Sequence, residues 1–267
     1  MLEYYSKSMG SYIDQIKKVY EDWRLSHDAF FRGQNNAERL LLPGIFRKPH
    51  PEIDFCHEFR GRASAITGAP EHNDLDKWLF LMQHHGLPTR LLDWTESPLV
   101  ALYFALYKAE KGADVSVYVL NPTALNNKIY EKKIFPERND PTYFCRFVNC
   151  FYKSFQQIPW DYGIKREDIL DQSLPLAIKP ILFHERMIAQ KSCFTIHGSD
   201  RRSIDDILSG PDAPKVIRKI IIKAEYTETV AQELRISGIT HSNIFPDMDG
   251  IALDVSKKTK KPLIEFS

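Results

Sequence analysis

The chain lacks most of the signatures that assign a function at sight. Its 267 residues include four cysteines, Cys56, Cys145, Cys150 and Cys193, and these form neither a CxxC pair nor a CxxC…CxxC frame. A disulfide scaffold is shorter and denser, so the four read as reduced, buried thiols in a reducing compartment. Long apolar runs are missing as well. The longest, PLVALYFALY, has about ten residues where a membrane span needs about 20. The opening MLEYYSKSMGSYIDQI has no continuous apolar stretch of the kind a secretory signal carries. The expectation is a soluble, cytoplasmic protein with no membrane partner. An excess of one charge is also absent: 36 Lys and Arg against 35 Asp and Glu leave a formal charge of +1. That removes any global electrostatic argument for a nucleic-acid partner, although a local basic patch stays open. No nucleophile elbow, P-loop, GxGxxG or EF-hand frame occurs. Carboxylates do not cluster at metal-ligand spacing, which disfavours a metal-dependent nuclease, and no metal is expected.

What is present is a mixed pattern. SYIDQIKKVYEDWR, residues 11–24, puts Tyr12, Ile13, Ile16, Val19, Tyr20 and Trp23 on one helical face, with Ser11 and Asp14 resembling a capping box. HDAFFRGQ reads as a strand ending near Gly33, and residues 52–66 as a helix. LDKWLFLMQHHG has helical spacing and a natural stop at Gly86. PTRLLDWT reads as a short buried strand. Ser97 then stands where an N-cap belongs, with Pro98 at the first helical position, opening a helix that runs to Gly112. VSVYVLN is a strand. Residues 126–180 are rich in aromatics and read as a helical insertion. RMIAQKSCFTI and KVIRKIIIKA look like strands, TVAQELRISG is a helix boxed by Thr229 and Gln232, and FPDMDG is a turn. The order does not alternate as a doubly wound sheet would. It predicts an α+β fold, one domain over 1–267 with a mixed β-sheet core and flanking helices.

Three places carry candidate chemistry. In FFRGQ, residues 30–34, Arg32 sits between apolar strand residues and a glycine. It is placed to clamp a phosphate or carboxylate, or to pair with a buried acid, while Gly33 lets a backbone or ligand approach. In QHHGLPTRLLDWTESPLVALYFA, residues 83–105, Arg90, Asp93, Thr95 and Glu96 surround a strand-to-helix turn where helix N–H groups favour an anion. Capping is the plainer use of Thr95, Glu96 and Ser97, and Arg90 and Asp93 are expected to hold one another or the pocket wall. His84 and His85 point about 100° apart on a helix and have no HxxxH or HxH partner, so they read as structural, with pocket lining a lesser option. In FHERMIAQKSCFTIHG, residues 183–198, strand alternation would put Glu185 on one face and Arg186 and Gln190 on the other.

Taken together, FFRGQ, LLPGIFRK, QHHGLPTRLLDWTESPLVALYFA, RMIAQKSCF and IFPDMDG resemble the bacterial FRG domain, named for Phe-Arg-Gly, here Phe31, Arg32 and Gly33. The resemblance runs from about residue 27 to about 252. It departs at Lys191 and Ser192, near which the family commonly has a Gly. A more distant resemblance is to ADP-ribosyltransferases of the Arg–Ser–Glu type. Arg32 matches their first element, and Asp93-Trp94-Thr95 takes the place of their Ser-Thr-Ser. Ala101, Phe104 and Ala105 match the helix that follows, and Glu185 falls where the catalytic Glu would.

That resemblance implies NAD as substrate and no metal. Glu185 would stabilise an oxocarbenium-like state, Arg32 would hold the pyrophosphate, and Thr95 would orient the ribose or the Glu. The ligand-binding set is then Arg32, Gly33, Gln34, Arg90, Asp93, Trp94, Thr95, Arg186 and Gln190. It also implies a protein or nucleic-acid acceptor docking at 140–165, while the FRG resemblance implies a bacterial toxin or antiviral-defence setting, with a neutralising partner protein. The alternative is a non-catalytic module that binds a nucleotide or nucleic acid in the same Arg-lined pocket. Arg186 and Gln190 facing the pocket would favour that alternative.

Overall fold

A computed structural model describes residues 1–26, 29–48, 50–130, 134–153, 157 and 173–259. Seven strands form one sheet: β1 (Leu2–Ser6), β2 (Phe30–Gln34), β3 (Leu91–Thr95), β4 (Val115–Leu120), β5 (Leu176–Ile178), β6 (Ser192–Ile196) and β7 (Ile217–Ile222). Their order is β1-β7-β4-β2-β3-β6-β5. Among the described residues only β1 and β7 run parallel; the remaining neighbours are antiparallel. The helices before β4 are α1 (Met9–Trp23), α2 (Gly44–Arg47), α3 (Glu52–Ala63), α4 (Leu75–His84) and α5 (Pro98–Leu106). Those between β4 and β7 are α6 (Pro122–Tyr130), α7 (Pro141–Phe151), α8 (Glu185–Ala189), α9 (Ile204–Ile207) and α10 (Ala213–Val216). α11 (Thr227–Ile236), α12 (His241–Ile244) and α13 (Met248–Thr259) follow β7. The mixed α+β class read from the sequence is the class observed.

Strand alternation explains the layers. Phe31, Val117, Val119 and Ile220 face one side and pack with Tyr12, Ile16 and Val19 of α1 and with Ala101 and Ala105 of α5. Phe30, Tyr118, Leu120, Leu92 and Trp94 face the other side. A third cluster gathers Trp78, Leu79 and Met82 of α4 and Phe147 and Phe151 of α7 over Leu91, Phe194 and Ile196. All four cysteines are buried and free, and burial pushes the Cys56 and Cys150 thiols up. No helix among the described residues is long and apolar enough to cross a membrane.

Several local expectations change. α1 starts at Met9, capped by Ser8, and Ser11 is the return member of that capping box. α5 stops at Leu106 instead of Gly112: Tyr107 is extended, Lys108 takes a left-handed φ of 53°, and Asn35 Nδ2 donates to the Lys108 carbonyl at 2.9 Å. The apolar face that seats the helix ends there. α11 begins at Thr227, so Thr229 is inside it. FPDMDG is a turn only as far as Asp247, because Met248 already opens α13. Residues 126–180 are not purely helical, since β5 adds an edge strand, and 131–133, 154–156 and 158–172 lie outside the described residues. The proposed acceptor surface at 140–165 fares poorly where it is described, for Tyr143, Phe147 and Phe151 are core residues. RMIAQKSCFTI divides into α8 and β6, so 185–189 is a helical turn capped by His184, whose Nδ1 accepts the Arg186 N–H at 3.2 Å.

Candidate functional site

β2 and β3 are neighbours at the middle of the sheet, yet they pair only at Phe31 opposite Thr95. Beyond that pair the strands separate, and Arg32 enters the gap. Its Nη1 donates to the Asp93 carbonyl at 2.5 Å, taking up an acceptor that the ladder leaves open. The gap widens into a cleft of about 390 Å³, within the range of small-molecule sites.

Arg32 and Gln34 lie on the same face of β2, two residues apart. Both line the cleft, and each keeps a buried donor, Arg32 Nε and Gln34 Nε2, that has no partner among the described residues. Burial pulls the Arg32 pKa down against the opposing pull of Asp93; an arginine starts far enough above neutrality to stay charged. Asp93 is half in solvent, its carboxylate 3.7 Å from Arg32 Nη1. Gln83 Nε2 donates to Asp93 Oδ2 at 2.8 Å, and Gln83 is itself held by the Thr89 hydroxyl at 2.5 Å. Asp93 is the one carboxylate among the described residues lining the cleft.

The opposite wall comes from α8. Arg186 and Gln190, one helical turn apart, both line the cleft. The Arg186 guanidinium lies 4.4 Å from the centre of the Phe245 ring and makes no ion pair among the described residues. Burial lowers its pKa, with Asp247 and Asp93 pulling the other way. Gln190 Nε2 donates to the Ile244 carbonyl at 3.1 Å. Lys108 stands at the rim. Phe80 and Phe194, stacked at 5.0 Å, give the cleft a flat apolar patch.

Glu185 is exposed and does not line the cleft, because the helical turn sends it away from Arg186. Thr95 does line it, but its hydroxyl is committed, donating to the Gln190 carbonyl at 2.6 Å and accepting the Ser97 N–H at 3.0 Å. Trp94 also borders the cleft, while its indole packs on the far face and donates to Thr195 Oγ1 at 3.1 Å. Gly33 admits a backbone, that of α5: a Cβ there would sit 2.0 Å from the Ala101 carbonyl oxygen. His84 lines the cleft and His85 does not. Burial, with His184 and Arg186 adjacent, pushes His84 down to about 4. It is therefore neutral near pH 7 and leaves the positive charge of the cleft to Arg32, Arg186 and Lys108.

Arg90, expected at the site, stands outside it. It neither lines the cleft nor holds Asp93; its Nε donates to both oxygens of Glu52 at 3.0 Å, and its backbone N–H to Glu52 Oε1 at 3.2 Å. Both side chains are buried, at 15% and 9% exposure, so the pair fastens α3 to the start of β3. Glu52→Ala would strand the guanidinium, and losing one partner of a buried pair costs about 3–5 kcal/mol. Urea denaturation should show that loss, with Arg90→Met in the same chain recovering part of it. A change under about 1 kcal/mol would mean the pair is not what fastens α3.

The fold and the cleft together define a mixed α/β protein with a cationic, ligand-sized gap between its central strands. The FRG domain model matches residues 27–114, about a third of the chain. That stretch supplies Arg32, Gln34, Gln83, Asp93 and Lys108 to the cleft; Arg186 and Gln190 come from outside it. No curated protein and no solved structure matches the chain.

Proposed function

We propose that the cleft is a binding site for a nucleotide-class anion. The observation that carries this is the pair of buried donors on Arg32 and Gln34 that have no partner among the described residues, with Arg186, which makes no ion pair among those residues, on the opposite wall. Buried donors without partners are costly, so a site that keeps two is suited to a ligand that satisfies them. Phosphate oxygens take Arg32 and Arg186 in charge-assisted bonds, and the Phe80–Phe194 patch takes a flat ring. Arg186 and Gln190 facing inward support the binding-module reading over turnover by Glu185.

NAD cleavage stays as a second reading because of Asp93. A ribosyl transfer passes through an oxocarbenium-like state that needs a carboxylate against it, and Gln83 holds that of Asp93 in place at 2.8 Å. The protein or nucleic-acid acceptor, the toxin or defence setting and the neutralising partner belong to this reading.

The test is calorimetric titration with ADP-ribose and NAD, beside an assay of released nicotinamide. Arg186→Ala should weaken ADP-ribose about tenfold, the worth of one charge-assisted bond. Binding without release supports the module. Release lost in Asp93→Asn and kept in Glu185→Gln supports turnover at Asp93. Failure of ADP-ribose, NAD and ADP to bind at all would overturn the nucleotide reading.

A further inference from the structure

A larger, open cavity of about 750 Å³ lies between the end of α5 and helices α11, α12 and α13. Leu106, Leu234, Ile239 and Leu253 give it an apolar lining that the cleft chemistry does not use. Its polar groups divide into committed and free. The Tyr103 hydroxyl and His241 Nδ1 are hydrogen-bonded at 2.5 Å. Asp254 accepts the backbone N–H groups of His241 and Ser242 at 3.3 and 2.8 Å and the Ser242 hydroxyl at 2.6 Å. Those contacts hold α12 against α13 and occupy the acid internally. Arg235 and Lys108 also line the cavity, and neither makes an ion pair among the described residues. The free charge of this apolar cavity is therefore positive only.

We propose that the cavity is a second binding site, for an amphipathic organic acid. Its hydrocarbon or aryl body would lie on Leu234 and Ile239, with the carboxylate on Arg235 and Lys108. A neutral apolar molecule would leave both cations unused. A cationic one would meet them with Asp254 already engaged. Burial of the body supplies affinity and the head group supplies selection.

The experiment titrates decanoate and decanol into the full chain by calorimetry, with circular dichroism confirming that each variant folds. Decanoate should saturate one site and bind more tightly than decanol. Arg235 is exposed, and ion pairs at such positions are worth up to about 1 kcal/mol, so Arg235→Ala should weaken decanoate about fivefold and leave decanol unchanged. Ala231→Trp, which fills the cavity from α11, should abolish both. Arg32→Ala should change neither, which separates this site from the cleft. No saturable decanoate binding, equal binding of decanol, or decanoate binding that survives both Arg235→Ala and Ala231→Trp would overturn the proposal.

Discussion

Gly33→Ala is expected to leave little folded protein, and what folds should melt about 6–12 °C or more below the parent. The added Cβ would sit 2.0 Å from the Ala101 carbonyl oxygen and 2.4 Å from the Ala105 backbone nitrogen. Both are backbone atoms of α5, so no rotamer change relieves the contact, and the helix itself must move off β2. That helix carries Ala101, Leu102 and Ala105, each fully buried. Overpacking a core costs about 1–3 kcal/mol where side chains can adjust; a backbone clash belongs at or above the upper end. At about 2–4 °C per kcal/mol for a chain of this size, about 3 kcal/mol lowers Tm by about 6–12 °C, and a larger cost lowers it further. Gly61 is the control. It lies within α3, a Cβ there meets nothing within 4 Å, and Gly61→Ala should stabilise by about 0.5–1 kcal/mol. A Gly33→Ala protein with the parent's Tm would refute the seating of α5 on β2.

Arg32→Ala should reduce ADP-ribose binding by about 100-fold while the protein stays folded. The guanidinium supplies the buried Nε donor to the cleft and, through Nη1, holds the Asp93 carbonyl at 2.5 Å. Charge-assisted hydrogen bonds are worth about 1.5–3 kcal/mol each, and about 2.7 kcal/mol corresponds to 100-fold. The orphaned Asp93 carbonyl costs about 1–3 kcal/mol of stability, which lowers Tm without unfolding the chain. Arg32→Lys makes the comparison sharper. Lysine keeps the charge but not the planar fork, so affinity should return only in part. Calorimetry beside thermal melts reads both quantities. Unfolding of Arg32→Ala would show that the residue is structural, and unchanged affinity would remove it from the site.

Much of the scaffold could be read from local chemistry. Ser97 and Pro98 open α5 as their capping preferences require, with Ser97 accepting the Val100 N–H at 3.4 Å. Gly86 follows α4 in a left-handed conformation, φ 79°, as a C-terminal stop should. β2, β3 and β4 follow from short apolar runs between breakers. The helical turn in the FHERMIA segment was not legible, because five residues, Glu185–Ala189, are too few to separate one period from the other. What decides it as helix is the His184 cap. β1 was missed for another reason: LEYYS is a strand only by pairing in parallel with Ile222 and its neighbours, over 200 residues away.

By itself, then, the sequence determined the elements whose signals are local and the mixed α+β class, and it named Arg32, Gln34 and Asp93, which the fold gathers at one cleft. Only the tertiary structure decided which partners those residues meet. The single β2–β3 pair that opens the cleft is a long-range contact, as is the Glu52 carboxylate, 38 residues before Arg90, that withdraws that arginine from the site. The turn of α8 that brings Arg186 to Arg32 and sends Glu185 outward is of the same kind. Capping and periodicity act within a few residues and can be read along the chain. Strand register and ion pairing join residues whose separation in sequence carries no information about their separation in space.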